Sequence, residues 1–243
     1  MRQESQTAVL TPVRKGSAML MDDARLFAVF AQCFGPADQD SWEQTVAPDS
    51  WQAFIARVRT LLQDGSTWGM TPSMAASMRR AVPLQEFLSV QEVEALYAPP
   101  DYPEKRRFSA RHFTGGLPAS ALPVESLYVE WTDDPARGPF AHRKGLYGAD
   151  TALYMRDVLE SLGIGLPEQM SAAPDHLSIE LDLVSVLLEA GCPLQARQLF
   201  IERSQWLTAY RPTLVELGQE ALFYLALVDA LLGMRAQQEE RIG

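Results

Sequence analysis

Helical periodicity is the feature of this sequence that most limits what it can fold into. In the stretch AAPDHLSIELDLVSVLLEAG, residues 172–191, apolar side chains recur at steps of three and four, which places them on one face of a helix. Gly191 follows at the position where a left-handed residue commonly ends a helix. Strand patterns are almost absent, because no alternating β-branched run has a hairpin turn beside it.

The same spacing predicts helices along most of the chain, separated by one long irregular segment rich in proline. The predicted helices run from about Ser17 to Phe34, from Asp49 or Ser50 to Gly65, from Thr71 onward, within 84–97, from Pro103 to Phe113, and repeatedly from 146 to the C-terminus. We therefore predict an all-α fold, a single globular domain of about nine or ten helices over residues 18–243, preceded by a mobile tail at residues 1–17.

Charge and cysteine content narrow the possible functions. Acidic residues outnumber basic ones 31 to 21, for a net charge of -10, which disfavours nucleic acid as a partner and suits a basic peptide. The two cysteines are far apart and the three histidines form no HxxxH pair, so we expect no disulfide framework and no metal site. No signal peptide and no apolar run of about 18 residues occurs, so we expect a cytoplasmic protein without stable membrane insertion.

Catalytic signatures are missing, and one polar pair stands out instead. The sequence has no phosphate-binding loop, no GxGxxG after a strand and no GxSxG elbow. Asp175 and His176 stand at the start of the helix in 172–191, where the helix dipole disfavours a protonated imidazole. Either Asp175 caps free amides while a neutral His176 fills surface space, or the pair forms a polar spot at the mouth of a groove, with Asp175 accepting a guanidinium.

Four segments, in order, resemble one known family. They are LPVESLYVEW, GLYGADTALYMRDVLESLGI, APDHLSIELDLVSVLLEAG and WLTAYRPTLVELGQEALFYLAL, and together they span about residues 108–230. They resemble the elements of the TorD/DmsD/NarJ family of cytoplasmic molybdoenzyme maturation chaperones, most closely the TorD/DmsD branch. The chain departs from the family pattern at Val124, where an aromatic residue is common, and in HFTGG, which replaces Leu-Phe-x-Gly-Pro.

The resemblance implies a helical chaperone rather than an enzyme. Such a protein binds the twin-arginine signal peptide or the apo form of a molybdopterin oxidoreductase subunit used in anaerobic respiration, delays export and assists cofactor insertion. Family members have also been linked to guanine nucleotides and to the molybdenum cofactor. The sequence has no motif for either, and we expect no resident cofactor. A monomer and a homodimer are both compatible with the sequence.

The resemblance also suggests which residues contact the peptide. The candidates are carboxylates for the arginines and aromatic or apolar walls for the rest of the signal: Asp175, His176, Pro174, Glu125, Ser126, Tyr128, Trp131, Tyr147 and Leu177, with Asp150 as a further acceptor. Tyr128 and Tyr147 could instead lie at the edge of the core, and Glu125 and Ser126 could simply cap a turn. Two other functions remain open: a nucleotide hydrolase using Asp175 and His176, and a helical scaffold for a folded partner.

Overall fold

A computed structural model describes residues 21–63, 95–113 and 120–240, and it confirms the all-α prediction: every regular element in these ranges is a helix. The α-helices are α1 (Asp23–Phe34), α2 (Gln39–Thr45), α3 (Pro48–Gln63), α4 (Tyr102–His112), α5 (Asp150–Ser161), α6 (Leu177–Glu189), α7 (Pro193–Arg203), α8 (Leu207–Glu216) and α9 (Leu222–Glu240). Short 3-10 helices occur at Glu125–Leu127, Pro135–Arg137, Glu168–Met170 and Gly218–Ala221.

Helix α9 lies at the centre of the packing, against α3, α7 and α8, while α1 packs along α6 and α6 packs against α7. Nearly every residue from 223 to 234 is buried, as expected of a helix that is covered on all sides. Asp229, which interrupts this apolar run, accepts hydrogen bonds of 2.6 and 3.2 Å from the Arg211 guanidinium. None of the helices in the described ranges combines the length and apolarity needed to cross a lipid bilayer.

The N-terminal helices differ from the prediction at their boundaries. Helix α1 begins at Asp23 rather than Ser17, because the Asp22 carboxylate accepts the Arg25 N–H at 2.8 Å and caps the helix there. Helix α2 was not predicted. Helix α3 begins at Pro48, so Asp49 and Ser50 lie in its first turn instead of capping it. The tail at 1–17, the helix from Thr71 and most of the helix within 84–97 lie outside the described residues.

Two glycines have specific geometric roles. Gly191 has a φ of 74° and ends α6 in the left-handed conformation that the sequence predicted. At Gly35, which ends α1, an added Cβ would lie 3.0 Å from the Ser178 Cβ, so only glycine lets the end of α1 approach the start of α6 this closely. The segment 120–149 is irregular apart from its 3-10 turns, as predicted, and it lies against the same end of α6.

Candidate functional site

Two segments distant in sequence meet at the start of α6. Val124 and His176 form an isolated antiparallel bridge. On either side of it, the Glu125 N–H donates to the Asp175 carbonyl at 3.0 Å and the Leu177 N–H donates to the Pro123 carbonyl at 2.9 Å. The irregular mid-chain segment therefore folds back against the helix that carries the Asp-His pair, which is the arrangement that a shared site requires.

Asp175 is fully buried at this junction. One oxygen of its carboxylate, Oδ2, accepts the Ser126 N–H at 2.7 Å and also the Ser126 hydroxyl. Its other oxygen, Oδ1, has no hydrogen-bond partner among the described residues. Asp175 thus caps the 3-10 turn Glu125–Leu127 of the opposite segment and not its own helix, and it does not stand at the rim of a groove as expected.

His176 is the N-cap of α6. Its Nδ1 accepts the Ser178 N–H at 3.2 Å, so the ring carries its proton on Nε2. Burial, together with the charge of Lys105, lowers the pKa of His176 to about 4. Burial therefore keeps this histidine neutral at a positive helix end, where its unprotonated Nδ1 acts as the capping acceptor.

A cleft of about 680 Å³ opens beside His176, and we call it the apolar cleft. Its walls come from the end of α1, one face of α4 and the segments 122–124 and 169–173, with Tyr147 at its edge. Most of the lining is apolar: Phe34, Pro36, Ala37, Tyr102, Ala110, Phe113, Leu122, Val124, Met170, Ala172 and Ala173. The sequence did not reveal this cleft, because its walls come from five separate segments.

Lys105 lies at the base of the apolar cleft and is almost entirely buried. Its Nζ donates to the Gly35 carbonyl at 2.8 Å and to the Cys33 carbonyl at 3.3 Å, and lies 4.9 Å from the centre of the Trp42 ring. Burial lowers the pKa of Lys105 to about 8. Sequence reasoning missed this residue, although Lys105 shares a helical face with Phe108 and His112, both buried.

A second cleft, of about 540 Å³, lies beyond the Glu125–Leu127 turn, and we call it the acid-lined cleft. Glu130, Asp133 and Asp150 line it together with one cation, Lys144. Its apolar surface includes Tyr128 and Trp206, whose rings stack with centroids 5.5 Å apart. Asp150 already accepts a hydrogen bond from Thr132 at 2.5 Å and one from Arg137 at 3.2 Å.

A buried pair of carboxylates supports the junction from below. Glu125 pairs with Arg203 at 3.2 Å and lies close to Glu180, which accepts the Trp206 indole N–H at 3.2 Å. Burial raises the pKa of Glu125 to about 7, and burial and the charge of Glu125 raise the pKa of Glu180 well above its usual range. Both carboxyl groups are therefore protonated more readily than an exposed glutamate. Glu180 stands on the apolar stripe of α6, a signal that the sequence contained.

Eight of the nine predicted contact residues lie in three environments, the two clefts and the junction, and Trp131 lies outside all three. His176 and Tyr147 line the apolar cleft, and Tyr128 lines the acid-lined cleft. Trp131 is partly buried, and its carbonyl accepts the Asp150 N–H at 2.9 Å. The remaining five are buried in the junction: Glu125, Ser126, Pro174, Asp175 and Leu177. The residues that sequence reasoning missed are Lys105 and Glu180.

Residues 73–215, more than half of the chain, match the family described as nitrate reductase delta subunit. A comparison with curated proteins finds no match. The matched family consists of chaperones that mature molybdoenzymes. The match covers three of the four segments that suggested the resemblance and ends within the fourth. The chain therefore belongs to the nitrate reductase delta subunit family of molybdoenzyme maturation chaperones.

Proposed function

We propose that this protein is a cytoplasmic chaperone of the TorD/DmsD type. It holds the twin-arginine signal peptide of a molybdopterin oxidoreductase precursor, delays its export and assists cofactor insertion. The observation that supports this most directly is the apolar cleft, which is large enough for several apolar side chains and lies at the junction of the two family-like segments. A signal peptide has an apolar stretch that needs such a surface.

Apolar burial supplies most of the binding energy in this proposal. A peptide that buries about 400 Å² of apolar surface gains about 10 kcal/mol before ordering costs, at about 25 cal/mol per Å². An exposed ion pair contributes only about 0.2–1 kcal/mol. The apolar cleft therefore provides affinity, and the charged groups around it select the peptide.

The arginine pair of the signal fits the acid-lined cleft. Glu130 and Asp133 are exposed there, and Glu130 is hydrogen-bonded to the exposed His142 at 2.6 Å, whereas Asp175 is buried and bonded to Ser126. Val124 lines the apolar cleft and Tyr128 lines the acid-lined cleft, so only the Glu125–Leu127 turn separates the two along the chain. In this arrangement Glu125, Ser126, Pro174, Asp175 and Leu177 hold the two clefts in place, while His176, Tyr147, Tyr128 and Trp131 are available to the peptide.

The test is titration of dye-labelled signal peptides from the molybdoenzyme precursors of the source genome, followed by fluorescence anisotropy. Ala172→Arg places a long charged side chain in the apolar cleft and should weaken binding about tenfold or more. Ala190→Arg is the matched control, because it lies at the other end of α6, about 20 Å away. Glu130→Gln with Asp133→Asn should remove the preference for Arg-Arg over Ala-Ala peptides. Absence of saturable binding by any such peptide or apoenzyme would refute the proposal.

No specific observation favours either alternative function, the nucleotide hydrolase or the helical scaffold. Asp175 and His176 hydrogen-bond to different serines, Ser126 and Ser178, so the pair is not a connected acid–base relay. We therefore expect no nucleotide turnover above that of a His176→Ala protein. A scaffold that binds a folded partner through another face would retain its partner in the Ala172→Arg variant, which distinguishes it from the proposed chaperone. Guanine nucleotide and the molybdenum cofactor remain additional candidate ligands, to be tested by direct titration.

A further inference from the structure

The apolar cleft has a charge opposite to that of the protein as a whole. The chain carries a net charge of -10, yet the charged side chains that line this cleft within the described residues are Lys105 and Arg106, and no Asp or Glu joins them. Arg106 is exposed and forms no ion pair with any described residue. Lys105 has a structural role, because it binds two carbonyl oxygens at the end of α1, whereas no such contact accounts for Arg106 within the described residues.

One further residue in the lining, His176, offers a hydrogen-bond donor, and the other polar side chains there are neutral: Tyr102, Ser109, Tyr147 and Gln169. The Nε2–H of His176 has no partner among the described residues, although the residue is only 8% exposed and lines the cleft. Lys105 uses two of its N–H groups on carbonyl oxygens and lies over the Trp42 ring, so it adds positive charge to the cleft rather than a free donor. The lining thus holds an imidazole N–H and a guanidinium as donors, with no carboxylate among its residues.

We propose that the apolar cleft binds a segment of the client that carries a carboxylate within or beside its apolar residues. This carboxylate is held by Arg106 and the Nε2–H of His176, and the buried Lys105 ammonium adds favourable positive charge. The inference rests on the proposed function, because it takes the occupant to be a client peptide. The inference adds that the client segment carries opposite charges at its two ends, with arginines toward the acid-lined cleft and an acidic residue toward α4.

Charge and shape favour a peptide over a polyanion as the occupant. The surface surrounding the cleft belongs to a strongly acidic protein, which repels nucleic acids and other polyanions over distances of about a Debye length. A single carboxylate on an apolar segment avoids this repulsion and uses both features of the cleft. Its desolvation is offset by charge-assisted hydrogen bonds, which are stronger than neutral ones.

The experiment uses three acetylated, amidated peptides of about twelve residues that are rich in Leu and Ala. They differ only in the residue at one end of the apolar run, which is Glu, Gln or Lys, and the set is repeated with that residue at the other end. We expect the Glu peptide to bind the full-length chain about fivefold more tightly than the Gln peptide, and the Lys peptide to bind most weakly. Arg106→Glu should weaken binding of the Glu peptide and strengthen binding of the Lys peptide.

Arg107→Glu is the matched control. It makes the same change in charge on the neighbouring residue, which is also exposed but does not line the apolar cleft. Equal effects of the two substitutions, or equal binding of the three peptides to the unmodified protein, would overturn the proposed carboxylate site while leaving the chaperone function intact. Absence of binding by all three peptides and by molybdoenzyme signal peptides would overturn both.

Discussion

The N-cap role of His176 predicts a specific pH dependence of stability. The folded-state pKa of this residue is about 4, against 6.5 when it is unperturbed. The folded protein therefore binds fewer protons here than the unfolded chain, so stability is lost as the pH falls from about 6.5 to about 4. The full window of 2.5 pKa units corresponds to about 3 kcal/mol.

His176→Asn isolates this contribution, because an asparagine Oδ1 can accept the Ser178 N–H but does not titrate. The variant should match the original protein within about 0.5 kcal/mol at about pH 7.5. Between about pH 7.5 and about pH 5.5, the original protein should lose about 1.3 kcal/mol of unfolding free energy that the variant keeps. This figure follows from the two pKa values of His176 in the linkage relation. This pH is above the sequence pI of about 4.8, which limits precipitation.

Urea unfolding of both proteins at the two pH values, followed by circular dichroism, measures the effect. Comparing differences between variants removes the contribution of other groups, including Glu125 and Glu180, whose raised pKa values act in the opposite direction. A difference between His176→Asn and the original protein that is the same at both pH values would refute the neutral N-cap.

Three further predictions test the junction and the core. Glu180→Gln should remove much of the stability loss as the pH rises from about 4.5 to about 7, because the folded state no longer holds an extra proton; urea unfolding across this range measures it. Asp175→Ala should cost about 1–3 kcal/mol and speed amide exchange at Ser126, which loses its acceptor; unchanged exchange would contradict the assigned role. Asp229→Asn should lower the free energy of unfolding by about 3–5 kcal/mol, since Arg211 would remain buried without a counter-ion. Chemical unfolding measures the loss, and Asp182→Asn, on the exposed surface, is the control that should change it little.

Local signals predicted much of the fold. The apolar stripe and Gly191 predicted α6 and its end, and a similar stripe located α3. Helix α2 escaped prediction because its seven residues are too few to show a period. The start of α1 was placed too early because the capping carboxylate of Asp22 is one of several acids that could have served.

The site was predicted less completely, for a physical reason. The sequence indicated that Asp175 and His176 were unusual, but a carboxylate beside an imidazole does not reveal which amides each accepts. That assignment depends on Ser126, 49 residues away, and on the folding back of Val124 against His176. The apolar cleft is likewise built from several separate segments, and nothing in the sequence shows that they meet. The absence of a carboxylate near Lys105 and Arg106 in its lining was therefore not predictable.

The sequence by itself determined the helical class, most of the helices and the family resemblance, because helical periodicity, helix ends and ordered motifs are local properties of the chain. Only the tertiary structure decided that Asp175 is buried, that His176 is a neutral cap, and that an apolar cleft beside His176 is lined by Lys105 and Arg106. Burial and hydrogen-bond partners set the charge state and accessibility of a side chain, and both depend on residues brought close by folding rather than by sequence.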